Sequence, residues 1–409
     1  FDHLETDASL EQITEALTVI GLEVEAVEDP SAKLADFSVV EIIETRPHPD
    51  ADRLKICKIR MLTDGQSGEM ELVCGATNAR AGLNGIYARE GAVIPSNGMV
   101  LKKAKIRGVE SRGMMCSEAE LELSDASDGI IELPGDAEVG TAAAAILGLD
   151  DPVIEIAITP NRPDCLGVRG IARDLAAFGL GALKPDLQEE IIGTGDCPIS
   201  IQLEADVCPA FAGRTVSHVK NGPSPEWLVT RLRAIGLRSI NALVDITNYI
   251  SFDRGRPLHV YDADRLTGGI VARRGKDGES FAALDELDYK VTSEDCVIAD
   301  DVSVLGLGGI MGGMASGCSD ATTNVFIESA FFPAEQIAHS GRRHGIDSDA
   351  RYRFERGVDP QSCQLGLDMA TRMVLELCGG EASQTNLAGD APSGCKTIEF
   401  NPERVERLA

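Results

Sequence analysis

The sequence predicts an α+β multidomain fold: a small β-barrel interrupts an α/β N-terminal domain, and a larger α+β module follows. Three observations point there. Short β runs crowd the stretch from Phe37 to about Pro134, α/β patterning lies on both sides of them, and long amphipathic helices alternate with strands from about residue 195 onward. The 409 residues suffice for two to four domains, each able to bury its own core.

Taken in order, "DASLEQITEALTVIGLEVEAVED" opens with a capping box, Ser9 with Gln12 three positions on. Leu10, Ile13, Leu17 and Ile20 then recur at helical spacing and Gly21 stops the helix. Leu22, Val24 and Ala26 alternate with Glu23 and Glu25 as in a half-buried edge strand. The runs "FSVVEII", "LKICKIRM", "MELVCGA", "GIYARE", "AKIRG" and "GIIELP", broken by Gly, Asn and Pro, predict the barrel. "DPVIEIAITPNRPDCLGVRGIARDLAAFGLGALK" restores α/β character through Ile154, Ile156 and Ile158 and a following helix. It is expected to join the first thirty residues in a domain that the barrel interrupts. After the linker-like "GTGDCP", the helix in "SPEWLVTRLRAIG" is expected to be N-capped by Ser224 with Pro225 at its first position. "QSCQLGLDMATRMVLELCGG" places Cys363, Leu367, Ala370, Val374 and Leu377 on one stripe ended by Gly379 and Gly380.

Composition narrows the function classes. With 38 basic against 66 acidic side chains and a net charge of -28, the bulk surface repels polyanions, so any nucleic-acid contact must be local. The eleven cysteines include no CxxC pair, which argues against structural zinc and for a reducing, cytoplasmic setting in which most are small core residues. The longest apolar patch, "GTAAAAILGL", is far shorter than the roughly 18 residues of a membrane span. The chain opens on Phe1 and stops at "NPERVERLA", which reads as a fragment.

"RPHPDADRL", "VCGATNARAG" and "KIRGVESRGMMCSEAEL" resemble the tRNA-binding oligonucleotide-fold (OB-fold) module of several synthetases. "ITPNRPDCLGVRGIARDLAA", "LVDITNYISFDRGRPLHVYDADRL" and "RRHGIDSDARYRFERGVDP" together resemble the beta subunits of bacterial phenylalanyl-tRNA synthetases, in the family's order over nearly the whole chain. The resemblance implies an N-terminal domain of residues 1–36 plus 152–194, an inserted OB-fold barrel at 37–151, an editing module of paired domains at 195–395, and the start of a truncated domain at 396–409. It further implies an alpha-subunit partner in an alpha2 beta2 heterotetramer and tRNA(Phe) as the nucleic acid, with neither DNA nor membrane. ATP and Mg2+ are expected only in the complete enzyme, where the alpha subunit activates the amino acid; no metal or cofactor site is expected in this fragment. Two rival readings are a free-standing trans-editing hydrolase and a non-catalytic tRNA-binding scaffold.

An editing site has a physical rationale of its own. A pocket shaped for phenylalanine rejects an analogue carrying one added hydroxyl by only about a hundredfold. A second site must therefore favour the hydroxyl and hydrolyse the mischarged ester. Glu328, a lone carboxylate in the apolar run "NVFIESAFF", suits a hydroxyl partner, since an unpaired buried charge is costly; the bland alternative is a residue facing solvent by strand alternation. By resemblance Glu328 recognises the tyrosine hydroxyl, His259 in the loop "RGRPLHVYD" lies beside the ester, and Thr247 and Asn248 line the same pocket. On sequence alone the favoured reading of His259 is a hydrogen-bonded loop residue. Arg238 has the guanidinium needed near an RNA terminus and is counted with the editing pocket, although a lone arginine after a helix is more often a C-terminal dipole partner. "GLGGIMGG" lacks the lysine and Ser/Thr of a phosphate-binding loop, and its glycines suit close backbone approach. Gly312 and Ala350 are carried over as opposing pocket walls and Ser348 as a pocket hydroxyl where the family usually has threonine. With no nucleophile motif beside a histidine base, hydrolysis is expected to proceed by an oriented water.

Residues 342–360 gather five arginines, one histidine and four carboxylates. Arg351, Arg353 and Glu355 alternate like an exposed strand face whose charges pair among themselves, while Arg342, Arg343 and His344 are left to meet RNA phosphates. In the barrel, Lys102, Lys103, Lys105, Arg107 and Arg112 form the basic cluster expected to touch tRNA. The scarcity of aromatic platforms there leaves a structural or weak-contact role open.

Overall fold

A computed structural model of the chain describes residues 1–63, 66–124, 126–186, 190–393 and 397–407. Cys395, expected as a core thiol, lies outside the described residues. The fold is α+β and divides into two compact units, Glu25–Glu155 and the remainder, Phe1–Val24 with Ile156–Ala409.

In the unit Glu25–Glu155, strands pair antiparallel in a five-stranded sheet ordered Gln66–Cys74, Ala51–Thr63, Phe37–His48, Leu83–Ala88, Met114–Met115. Phe37, Val39, Val40 and Ile42 are buried, and the ladder between the two longest strands shifts register after Ile42, a bulge that bends the sheet. Among the described residues no ladder joins the two outer strands of this order. "GIIELP", expected as a strand, supplies only an isolated bridge between Asn84 and Leu133.

In the other unit the strand Leu4–Glu5, paired antiparallel with Ala182–Leu183, precedes the helix Leu10–Val19, where the Ser9 side chain and Gln12 cap each other reciprocally as the sequence predicts. His3 Nε2 meets Asp253 Oδ1 at 2.6 Å and ties the first residues to the helix Ala242–Arg254.

Beyond residue 200 the chain builds three layers. A central antiparallel sheet runs in the order His259–Asp262, Asn324–Phe331, Ala210–Ser217, with Glu381–Ala382 and Asn386–Gly389 both pairing with the last of these. One face packs Val216, Val325 and Ile327 against the helices Glu226–Ala234, Ala242–Arg254 and Ser362–Cys378 through Leu228, Ile246, Leu367 and Val374. The opposite face packs Phe211, Phe326 and Ala330 against a second sheet, contributed by Ile270–Arg274, Cys296–Ala299, Val304–Leu307 and their neighbours. The strand Asn324–Phe331 is therefore covered on both faces. That removes the solvent-facing alternative for Glu328, which is only 6% exposed.

Two local expectations fail for identifiable reasons. The helix Glu226–Ala234 takes Pro225, not Ser224, as N-cap, because the Ser224 hydroxyl donates to Asp245 Oδ2 at 2.6 Å. Asp245 is fully buried and also accepts from Ser239 and from the backbone N–H of Ile240, so the serine satisfies a buried charge instead of a helix end. The expected strand face at 351–355 is a helix, Asp349–Phe354, N-capped by Ser348. Its alternating charges pair at helical spacing: Arg351 with Glu355 at 3.0 Å and Arg353 with Asp349 at 3.2 Å.

Candidate active site

Between the central sheet and the second sheet lies a cavity whose wall includes His259, Gly312, Glu328, Ala350 and Phe354. Four residues singled out from the sequence, His259, Glu328, Gly312 and Ala350, thus come together from four separate segments. His259 begins its strand, and its Cα is the register partner of Glu328 on the neighbouring strand. The loop reading of His259 gives way to a fixed strand position. The glycines of 306–312 turn the chain from Val304–Leu307 back into Met311–Gly312 along the cavity wall. A Cβ on Gly312 would stand 2.8 Å from His259 Nε2 and closer still to Cε1, so only glycine leaves room for that ring. Ser348 does not line the cavity; its hydroxyl donates to the carbonyl of the lining residue Ile310 at 2.7 Å and accepts from the Arg351 N–H.

The electrostatics suit neutral recognition more than ion pairing. Burial pushes the Glu328 carboxyl up to about 7, against the opposing pull of the Tyr261 hydroxyl and the Arg256 guanidinium. Burial holds the His259 imidazole down at about 4. Near neutral pH the histidine is therefore uncharged and the carboxyl is part protonated. His259 Nε2 is enclosed and has no hydrogen-bond partner among the described residues. A neutral imidazole and a buried carboxyl in the same cavity wall can bind a hydroxyl without a formal charge pair, and the imidazole can orient a water once a ligand uncovers its enclosed Nε2.

The remaining expected site residues lie elsewhere. Thr247 is buried on the helix Ala242–Arg254, where its hydroxyl donates to the Val244 carbonyl at 2.7 Å; neither it nor Asn248 lines the cavity. Arg238 is exposed in the segment after the helix Glu226–Ala234, also off the cavity. Of the phosphate-contact candidates, Arg343 pairs with Glu294 and reaches Asp295 at 2.9 Å, and His344 Nε2 lies 3.1 Å from Asp295. Both are thus taken up by the protein, and only Arg342 stays exposed without a partner among the described residues. In the other unit, Lys103 and Arg112 share Glu110, and Arg107 donates to the Asp50 carbonyl at 3.0 Å. Lys102 and Lys105 are exposed and unpaired among the described residues.

Sequence reasoning missed two residues. Tyr261, fully enclosed, donates its hydroxyl to Glu328 Oε2 at 2.5 Å; the signal was its position two residues beyond His259, on the same strand face. Asp295, also fully buried, accepts from Ser340, Arg343 and the Thr292 backbone, and nothing in "TSEDCVIAD" distinguishes it from its acidic neighbours. One cluster of potential metal ligands occurs among the described residues, Asp164, Cys165 and Asp174. Arg162 already donates to all three and Arg173 to both carboxylates, so that donor set is occupied by guanidinium and does not fit a metal ion. No helix among the described residues is long and apolar enough to cross a membrane.

Comparison with known proteins adds to this geometry. The B3/4 domain family matches residues 207–379, and a family described as a putative tRNA binding domain matches residues 37–142. The chain is 55% identical over 408 residues to a phenylalanine–tRNA ligase beta subunit of Mesorhizobium japonicum, covering all of this chain and 50% of that protein. To the same-named protein of Rhodospirillum rubrum it is 55% identical over 413 residues, covering 100% of this chain and 51% of that protein. The chain spans about half the length of the curated relatives it matches. Among solved structures, an N-terminal fragment of a phenylalanyl-tRNA synthetase beta-subunit from Pyrococcus horikoshii aligns over 62% of this chain and 71% of that one. Its 14% identity and TM-score of 0.32 carry no argument.

Proposed function

Because the chain belongs to the family of phenylalanine–tRNA ligase beta subunits, we propose that it forms the proofreading part of such a ligase, hydrolysing tyrosine from mischarged tRNA(Phe). The observation that carries this reading is the cavity whose wall holds both Glu328 and His259, register partners on adjacent strands, with His259 Nε2 left unpaired among the described residues. A phenol entering it finds an acceptor in Glu328, whereas a phenyl ring leaves that buried oxygen unpaired. The neutral His259, its Nε2 uncovered on substrate entry, orients a water beside the ester; Gly312 and Ala350 shape the wall, and the Ser348 hydroxyl holds Ile310 of that wall by its carbonyl. Thr247 acts by fixing the helix behind the sheet, on which Asn248 follows it, and Arg238 serves the RNA terminus from outside the cavity.

On this reading residues 37–151 form an OB-fold barrel inserted between 1–36 and 152–194, and 195–395 form the editing module. The hydrogen bond from the Val73 N–H to Ser111 Oγ at 3.0 Å supports closure of the barrel, because it links an outer strand of the sheet to the hairpin beyond it. The exposed Lys102 and Lys105, with Arg342 in the other unit, supply the contacts to tRNA phosphates. Activation of phenylalanine with ATP and Mg2+ belongs to an alpha-subunit partner in a cytoplasmic alpha2 beta2 assembly; this chain contributes ester hydrolysis by water.

The test is deacylation of tyrosyl-tRNA(Phe) by the assembled ligase, wild type against Glu328→Gln and His259→Ala. A fall of about a hundredfold in either variant supports the reading. Undiminished hydrolysis in both refutes it.

A further inference from the structure

Glu328 has two oxygens, and the protein treats them differently. Oε2 accepts the Tyr261 hydroxyl at 2.5 Å. Oε1 makes no hydrogen bond among the described residues, and it is not among the enclosed unpaired atoms, so it is open to the cavity that the carboxyl lines. Tyr261 is 2% exposed and has no other hydrogen-bond partner among the described residues, so its hydroxyl serves Glu328 alone. The same ring stands edge-on to His259, with centroids 4.5 Å apart and planes at 80°. One side chain thus touches both groups assigned to the reaction.

We propose that Tyr261 is a positioning residue that determines phenol selectivity: by occupying Oε2 it presents Oε1 as the single acceptor for an incoming tyrosyl hydroxyl, and its ring holds the His259 imidazole at the same depth. This rests on the reading of the cavity as a tyrosyl-tRNA editing site. The chemistry follows from hydrogen-bond capacity. A carboxylate offers about four acceptor positions, and a buried one with a single internal donor is under-satisfied. A ligand hydroxyl completes it, whereas an unsubstituted ring does not. A phenylalanine at 261 would fill the same space and keep the contact with His259, but would free the carboxyl to rotate and leave either oxygen to carry its proton. Volume alone therefore does not account for the tyrosine.

The test uses the intact subunit assembled with its alpha partner, as wild type, Tyr261→Phe, Glu328→Gln and the double variant, with hydrolysis of tyrosyl- and phenylalanyl-tRNA(Phe) followed across substrate concentration. The expected result for Tyr261→Phe is a rise in KM for the tyrosyl ester of about tenfold, the loss of one charge-assisted hydrogen bond, with kcat changed by less than about twofold. The preference for tyrosyl over phenylalanyl ester falls by the same factor. In the Glu328→Gln background the further change is less than about twofold, because Tyr261 acts through Glu328. A merely structural role would instead lower kcat on both esters alike and persist in the Gln background, and that outcome overturns the proposal. An unchanged preference in Tyr261→Phe beside a lost preference in Glu328→Gln overturns it while sparing the editing reading. An unchanged preference in Glu328→Gln overturns both. If Tyr261→Phe fails to assemble, 3-fluorotyrosine at position 261, a stronger donor of nearly the same size, decides: a changed KM for the tyrosyl ester alone supports the proposal, and an unchanged one overturns it.

Discussion

Glu328 makes the stability of this protein depend on pH in a direction opposite to that of carboxylates held ionised by ion pairs or several hydrogen bonds. Its carboxyl rises from an ordinary 4.5 to about 7 on folding, chiefly through burial. The folded state then binds more protons than the unfolded chain between those two values. Stability is accordingly full below about 4.5, falls as pH rises toward 7 and stays reduced above it. At about 1.4 kcal/mol per pH unit the complete penalty is about 3 kcal/mol, of which about 2.5 kcal/mol develops between pH 5 and pH 8. Glu328→Gln removes the titration. Relative to wild type, it is expected to gain about 2.5 kcal/mol of unfolding free energy on going from pH 5 to pH 8. The His259 imidazole, held at about 4, acts oppositely: its contribution is present above its ordinary 6.5 and shrinks as pH falls. It is common to both proteins and cancels in the comparison. The assay is urea unfolding of the chain followed by the fluorescence of Trp227, its one tryptophan, which packs edge-on against Tyr249 in the same unit as the cavity. A difference between variant and wild type that is flat from pH 5 to pH 8 would refute the buried, proton-holding carboxyl.

Gly312→Ala places a methyl group against the His259 ring and is expected to cut tyrosyl-tRNA hydrolysis by about a hundredfold through displacement of the imidazole; deacylation kinetics measure it. Asp295→Asn weakens the buried anchor of the helix Ala334–His344 and is expected to cost about 3 kcal/mol in the same urea experiment. Burial raises the Asp295 carboxyl, but donation from Ser340, the Thr292 N–H and His344 outweighs it and holds it below its ordinary 3.8, so this contribution is lost only as pH falls into the acid range. The double change Lys102→Ala with Lys105→Ala is expected to weaken tRNA binding and to reduce the slope of log affinity against log salt by about 1.5, measured by filter binding of the assembled ligase.

What the sequence disclosed depended on how local the determining interactions were. The capping box at Ser9 and the stripe Cys363–Leu367–Ala370–Val374 are complete within a few turns of chain, and both form as expected. The burial of Glu328 was legible as a charge out of place in an apolar strand, although its direction became definite only once a second sheet covered that face. The six-residue helix after Ser348 was hidden because charges at 351, 353 and 355 imitate a period of two, whereas the pairing that stabilises them is at a spacing of four. Ser224 was misread because its partner, Asp245, is twenty-one positions away and needs the hydroxyl more than the helix does. Tyr261 escaped notice because an aromatic residue in a strand is ordinarily core; only the partner across the sheet reveals its hydroxyl as an interior donor.

The cavity wall is assembled from segments that begin near Pro257 and end at Phe354, and the strand behind it, Ala210–Ser217, is completed only by strands at 381–389. Its formation is therefore governed by long-range pairing, which is slow compared with helix growth. During synthesis the sheet behind the chamber stays incomplete until the strands at 381–389 have emerged, so whatever chemistry the chamber performs is withheld from chains that have not yet reached them.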